Sequence, residues 1–294
     1  MSVPIKRLIV SADDFGMSAG VNAGIIRAHR EGILTDTSVM ANGQAFAEAV
    51  ALAREHPTLS VGLHLVLVQG RAVSPPAHIP LLVDGRGWFG NNAPWAGLRY
   101  FFTPGAHEQL RREITAQLEK FAATGLPLSH VDGHLTIHMH PTVLAILIEA
   151  ARQFGIRAVR LPEESLAAAL RFSRRHTGRK LFEATVFAAL TRYARKRLVA
   201  AGIRHPDRMF GLHQTGHVSE TYLLNVCRQL QPGVTEVYCH AGLSDDESRR
   251  WRPPDYESEQ ELAALISPRV RAAIQTGGIE LITYRDLCSR ENGR

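Results

Sequence analysis

Two adjacent carboxylates, Asp13 and Asp14, stand where the apolar run Arg7-Leu-Ile-Val-Ser-Ala-Asp-Asp-Phe-Gly16 ends. α/β enzymes place their chemistry at such strand ends. Neighbours on an extended chain point to opposite sides, so one carboxylate can bind a cation while the other takes a proton. A plainer task also suits the pair, since Asp14 or Ser18 could cap a helix that starts near Ala19. The imidazoles a cation would want occur in two later segments. His64 lies in Val61-Gly-Leu-His-Leu-Val-Leu67, whose apolar setting would equally suit a core histidine. The run His130-Val-Asp-Gly-His-Leu-Thr-Ile-His-Met-His-Pro141 holds four His and Asp132 within eleven residues, far denser than 14 His scattered over 294 positions. His134 and His138 are four apart, close enough to share a site if the chain begins to coil there.

An Asp-His-His set offers neutral nitrogen and anionic oxygen, a donor set that favours Zn²⁺ and also admits Mg²⁺. It leaves positions open for water and substrate, the arrangement of catalytic rather than structural zinc. One divalent ion is therefore expected. His240, in Val237-Tyr-Cys-His-Ala-Gly242, precedes small residues that would let a substrate approach and is a candidate general acid. Arg160, in Ala158-Val-Arg-Leu-Pro162, could orient a carboxylate or steady an oxyanion. Asp132 either orients one of the histidines or is a turn residue before Gly133.

These residues need a scaffold that gathers strand ends. Apolar, β-rich runs near 7–13, 35–40, 60–67, 129–133, 157–161, 208–212, 234–240 and 279–283 alternate with helical patterns near 18–31, 45–55, 106–124, 141–154, 181–201, 219–230 and 257–275. Such alternation predicts a parallel sheet wrapped by helices. No GxGxxG or GxxxxGK[ST] loop follows a strand, so the expected fold is a distorted (β/α) TIM-like barrel, an α/β single domain over 1–294. The rhythm breaks at about 70–105, after the third strand. Pro75-Pro76, Gly87-Trp-Phe-Gly90, Pro94-Trp95 and Tyr100-Phe-Phe102 make this a long aromatic insertion, of the length that lids and binding surfaces have.

Composition narrows the setting. The hydrophobic fraction of 45% over 294 residues can bury a sizeable core. Cys227, Cys239 and Cys288 fit neither a zinc knuckle nor a disulfide framework, so a reducing, cytoplasmic location is expected. No signal segment and no apolar run near about 18 residues appears, which argues against an integral membrane protein. The net charge of +6 is uneven: between Arg171 and Arg208 eleven Lys/Arg face only Glu183 and Asp207. A basic patch of this kind suits an anionic membrane surface or nucleic acid, or is a solvated helix face.

Ser11-Ala-Asp-Asp-Phe-Gly16, Gly62-Leu-His-Leu65, His130-Val-Asp-Gly-His134 with His138, Arg160-Leu-Pro162 and Cys239-His-Ala-Gly242 together resemble the ordered motifs of the YdjC-like carbohydrate deacetylases, over about residues 7–285. Within that family the chain looks most similar to the hopanoid-biosynthesis-associated deacetylases, through Ala12-Asp-Asp-Phe-Gly-Met-Ser18, Asp132-Gly-His-Leu-Thr-Ile-His-Met-His-Pro141 and the aromatic insertion. The resemblance implies a distorted barrel, one divalent metal and hydrolysis of an N-acetyl group from an amino sugar. By position it implies Asp14, His64 and His134 as ligands, Asp13 as base and His240 as acid. Leu135 and Thr136 stand where many relatives carry His, so His138 becomes an alternative ligand, and Ala241 replaces the usual Pro.

The expected substrate is an N-acetylglucosaminyl hopanoid, an amphiphile that gives the basic segment and the aromatics Trp88, Phe89, Trp95, Tyr100, Phe101 and Phe102 a shared purpose. They would hold the enzyme peripherally at the inner membrane face, with no nucleic-acid partner. The rivals are a chito-oligosaccharide deacetylase and a catalytically silent sugar-lipid binding protein.

Overall fold

The computed structural model describes residues 5–164 and 177–289, with side chains 177–187 left aside. Arg171, Arg174 and Arg175 of the basic segment fall outside the described residues. Among those described, seven parallel strands form one curled sheet wrapped by helices, a distorted (β/α) barrel. The strands are β1 (Lys6–Phe15), β2 (Asp36–Val39), β3 (Ser60–Leu65), β4 (Val131–Gly133), β5 (Arg208–Phe210), β6 (Gly233–Cys239) and β7 (Ile279–Leu281). Their order is β4-β3-β2-β1-β6-β5. β7 takes the first half of the β1 edge whose second half pairs with β2.

The expected strand at 157–161 is reduced to isolated bridges, Val131↔Val159 and Ala158↔Arg204. Pro162 has no N–H to extend the ladder. This segment still links β4 to the chain around β5, because the Met209 amide donates to the Glu163 carbonyl at 3.0 Å.

Alternation along β1 sorts its residues. Leu8, Val10 and Ala12 join the large core beneath the helices, while Ile9 turns inward to a small plug with Ala158, Ile282 and Tyr284. Ser11 and Asp13 lie on the Ile9 side, nearer the strand's C-terminal end, so the plug floors a polar pocket.

Helices α1 (Ala19–Glu31), α2 (Phe46–Glu55), α4 (Ala106–Ala122), α5 (Pro141–Phe154), α6 (Thr177–Ala200) and α7 (Glu220–Gln229) match the helical patterns. Ser18, not Asp14, caps α1 by accepting from the Val21 amide. The single helix expected over 257–275 is two, α9 (Ser258–Leu265) and α10 (Pro268–Thr276), because Ser267 caps a new helix with Pro268 in its first turn. The short helices α8 (Asp246–Trp251) and α11 (Tyr284–Ser289) carry no long periodic stripe.

The insertion contains its own helix, α3 (Ala93–Phe102), which the Pro/Gly-rich composition concealed. Its aromatics divide. Phe89 and Tyr100 are buried and Trp88 stacks on Trp251, with ring centroids 5.0 Å apart. Trp95, Leu98, Phe101 and Phe102 face outward. No described helix is long and apolar enough to cross a membrane.

Candidate metal and catalytic site

The paired aspartates owe their positions to a bulge. Between Ala12 and Phe15 the β1–β2 register slips by one residue, and Asp14 adopts φ +69°, a left-handed conformation that Asp tolerates better than most residues. The Asp14 carbonyl accepts from the Met17 amide at 3.0 Å, which closes the turn. The strict alternation expected of an extended pair therefore fails. Both carboxylates reach the same pocket, each with an oxygen near His64.

What separates them is partnership. Asp13 receives a two-pronged bond from Arg160, Nη1 to Oδ2 and Nη2 to Oδ1, both 2.8 Å. Asp14 Oδ2 receives Nε and Nη2 of Arg252 at 3.2 and 3.1 Å. Its Oδ1 is buried with no hydrogen-bond partner. Burial opposes the Asp14 charge, but His134, Arg252 and His240 outweigh it and hold the carboxyl well below the usual range.

That free oxygen faces two imidazoles. Asp14 Oδ1 is 3.5 Å from His64 Nε2 and 3.4 Å from His134 Nδ1, and the two nitrogens are 3.4 Å apart. A tetrahedral ion bonded at about 2.0–2.2 Å sets its donors about 3.3–3.6 Å apart. The triangle has that size, so the donors fit a divalent cation. His64 is oriented from behind, its Nδ1 donating to Asp132 Oδ1 at 2.9 Å, which leaves Nε2 for the site. Ser38 donates to the other Asp132 oxygen at 2.8 Å. Burial disfavours a charged His64, yet Asp132, with Asp13 and Asp14, raises its pKa to about 9.

Asp13, His64 and Asp132 also converge. That second cluster already has its cation, because Arg160 Nη1 lies 2.8 Å from Asp13 and 2.7 Å from Asp132. Arg160 Nε donates to Glu236 at 2.9 Å, and the guanidinium carbon lies 4.9 Å over the Tyr238 ring. With its donors so engaged, Arg160 orients the Asp13 carboxylate rather than meeting an oxyanion.

His138 stands outside the triangle. Its Nε2 donates to the Arg160 carbonyl at 3.0 Å, and burial lowers its pKa to about 4. Helical spacing predicts it beside His134. Leu135 and Thr136, however, take φ of +50° and +60°, which breaks the turn between the two rings. His130 is stacked on Tyr284 at 3.9 Å, beneath the site.

His240 directly follows β6 at the pocket, with its Nδ1 buried and unpartnered. Burial pulls its pKa down to about 4 against the opposing pull of Asp14 and Asp13. The small residues after it serve packing: a Cβ on Gly242 would lie 3.2 Å from Arg252 Nη1 and 3.3 Å from the Val21 backbone of α1. Arg252 escaped sequence reasoning, being one of three arginines in Arg249-Arg-Trp-Arg252 with no motif to mark it. Arg249 and Arg250 are exposed, whereas Arg252 is buried. Ser38, Glu236 and Tyr284 were likewise silent.

The comparisons with known proteins bear on this geometry. The family model described as YdjC-like protein matches residues 7–276. The chain belongs to the YdjC-like family. A carbohydrate deacetylase of Geobacillus stearothermophilus is 32% identical over 279 residues, covering 95% of this chain and 96% of that one. One from Brevibacillus brevis is 45% identical over 156 residues, 53% of this chain and 59% of that protein. Among solved structures, a candidate cellobiose-phosphate cleavage protein from Enterococcus faecalis superposes with a TM-score of 0.75 at 27% identity, covering 97% of this chain and 99% of that one. The superposition agrees with the barrel described above.

Proposed function

We propose that this YdjC-like protein is a metal-dependent carbohydrate N-deacetylase whose substrate is an N-acetylglucosaminyl hopanoid. The observation that carries the chemistry is the 3.4–3.5 Å triangle of Asp14 Oδ1, His64 Nε2 and His134 Nδ1 beside a second carboxylate fixed on its own arginine. A divalent ion held there, Zn²⁺ by this donor set with Mg²⁺ as the alternative, would supply an acidified water and a polarised amide carbonyl.

The remaining work falls to side chains. Asp13 takes the proton of the attacking water, since each of its oxygens keeps a lone pair beyond the bond from Arg160. Arg160 holds that carboxylate against rotation. Asp13 then gives that proton up to His240, which is neutral at rest, and the imidazolium so formed passes it to the departing nitrogen, leaving both groups as they began. Acetate and an amino sugar then separate, with the proton count balanced.

The lipid part of this reading is supported by the resemblance and by a surface next to the site. Trp95 and Phe102 are 70% and 72% exposed, with Leu98 and Phe101 beside them on α3. α3 packs against the 134–139 turn that carries His134, whose Leu135 is also exposed. An apolar aglycone or a bilayer would meet this face while the sugar enters the pocket. Peripheral contact with an anionic inner-membrane surface follows from the same proposal.

Acetate release tests it. Detergent-dispersed N-acetylglucosaminyl hopanoid should be turned over faster than diacetylchitobiose, and His64→Ala should abolish both activities. Faster turnover of diacetylchitobiose would move the substrate to a soluble oligosaccharide. Metal retention without acetate from either would leave a sugar-lipid binding protein.

A further inference from the structure

We propose that Arg252 is a positioning residue that restricts Asp14 to one ligand oxygen and ties that ligand to the backbone of His240. The inference rests on the metal site proposed above. All three guanidinium nitrogens are engaged: Nε and Nη2 with Asp14 Oδ2 at 3.2 and 3.1 Å, and Nη1 with the His240 carbonyl at 2.6 Å and Ser258 Oγ at 2.8 Å. A carboxylate free to turn can offer either oxygen, or both, to a cation. Here Oδ2 is occupied by the fork, and Oδ1 alone, without a hydrogen bond, faces His64 and His134.

Independent contacts hold Arg252 in place. Its amide donates to the Ser248 carbonyl at 2.9 Å, at the end of a helix begun by a capping box between Asp245 and Ser248. Trp251 donates Nε1 to Glu247 at 2.6 Å and stacks on Trp88 of the insertion. The segment carrying Arg252 is thus clamped from the insertion side. Gly242 leaves the room that Nη1 needs. Because one planar fork holds both the ligand and the His240 carbonyl, a lysine substitutes only in part: its ammonium reaches one of them as a point charge.

Titration of the metal-free protein with Co²⁺ tests this, since the visible band weakens as coordination number rises. The wild type should bind one equivalent. Folded Arg252→Met should still bind one, with affinity about 10–100-fold lower, the usual effect of losing a hydrogen-bond partner behind a ligand. Its band should be weaker, as the second Asp14 oxygen or a further water enters. Arg252→Lys should fall between the two. An unchanged band and affinity in folded Arg252→Met overturns the proposal. If that variant does not fold, a wild-type band in Arg252→Lys does so instead. Failure of the metal site reads differently: the wild type would take up no Co²⁺, or His64→Ala would bind it with the wild-type band.

Discussion

Asp13 and Asp14 are the same residue type at consecutive positions, yet they belong to two different corners of the pocket. In the Arg160 corner, both oxygens of Asp13 are bonded, and the same guanidinium also meets Asp132 and Glu236. In the Arg252 corner, one oxygen of Asp14 is bonded and the other is left bare toward two imidazoles. A fully bonded carboxylate keeps its orientation and can still accept a proton. A half-bonded one has a desolvated oxygen that only a cation or a proton satisfies. The partner across the barrel, not the residue type, sets what each carboxylate has left to offer.

The sharpest break of this comparison is to neutralise each carboxylate in turn. Asp14→Asn should lose both metal and turnover. Asp13→Asn should retain the metal and lose turnover about 10²–10⁴-fold, the span of general acid–base catalysis. Metal analysis alongside acetate release reads both, and metal lost from Asp13→Asn but kept by Asp14→Asn would exchange the roles. The arginines should differ too. Arg160→Met strands three buried carboxylates and should destabilise the fold by about 3–5 kcal/mol, measured by urea unfolding. Arg252→Met, which strands one, should cost less. Equal costs would mean that Arg160 is not the hub of its corner.

Carboxylates with no arginine sharpen the contrast through pH. Burial pushes Asp36 up to about 7, opposed by the Tyr284 amide, which donates to its Oδ1 at 3.0 Å. The folded state then holds a proton that the unfolded chain releases near 3.8, so stability should fall as pH rises from about 4 to 7. Asp14, held low, acts in the opposite sense: its stabilisation is present above about 3.8 and is lost as pH falls towards its folded value. Asp36→Asn should flatten the fall between pH 5 and 7, though Glu261 and Glu164, also raised to about 7 by burial, preserve part of it. An unaltered slope of unfolding midpoint against pH would remove Asp36 from the account.

The smallest effect is expected at the surface. Sedimentation with anionic vesicles should weaken when Trp95 and Phe102 become Ala, and should weaken further with salt. Trp88→Ala should matter through Trp251 and not through lipid, so it should leave vesicle binding unchanged. Equal recovery of the wild type with neutral and anionic vesicles would rule out the membrane role.

Much of this was legible in the chain. The α/β rhythm was visible because buried parallel strands are continuous apolar runs and amphipathic helices repeat every 3.6 residues. Asp14, His64 and His134 were visible because polar residues at the ends of such runs are anomalous. The insertion was visible as a break in rhythm, but not its helix, whose Pro94 and Gly97 read as loop.

Most element types, the strand ends and the residue types assembled there thus follow from the chain's local periodicity and side-chain chemistry. Only tertiary structure decided which histidine of the 130–140 cluster joined the site, because left-handed Leu135 and Thr136 break the spacing that puts His134 and His138 on one face. It alone decided which arginine of Arg249-Arg-Trp-Arg252 was buried, and which oxygen of Asp14 was left bare. The last two choices depend on a contact between residues more than 100 positions apart, Arg252 with Asp14. Burial lets such contacts form and costs too much for a charge left without one.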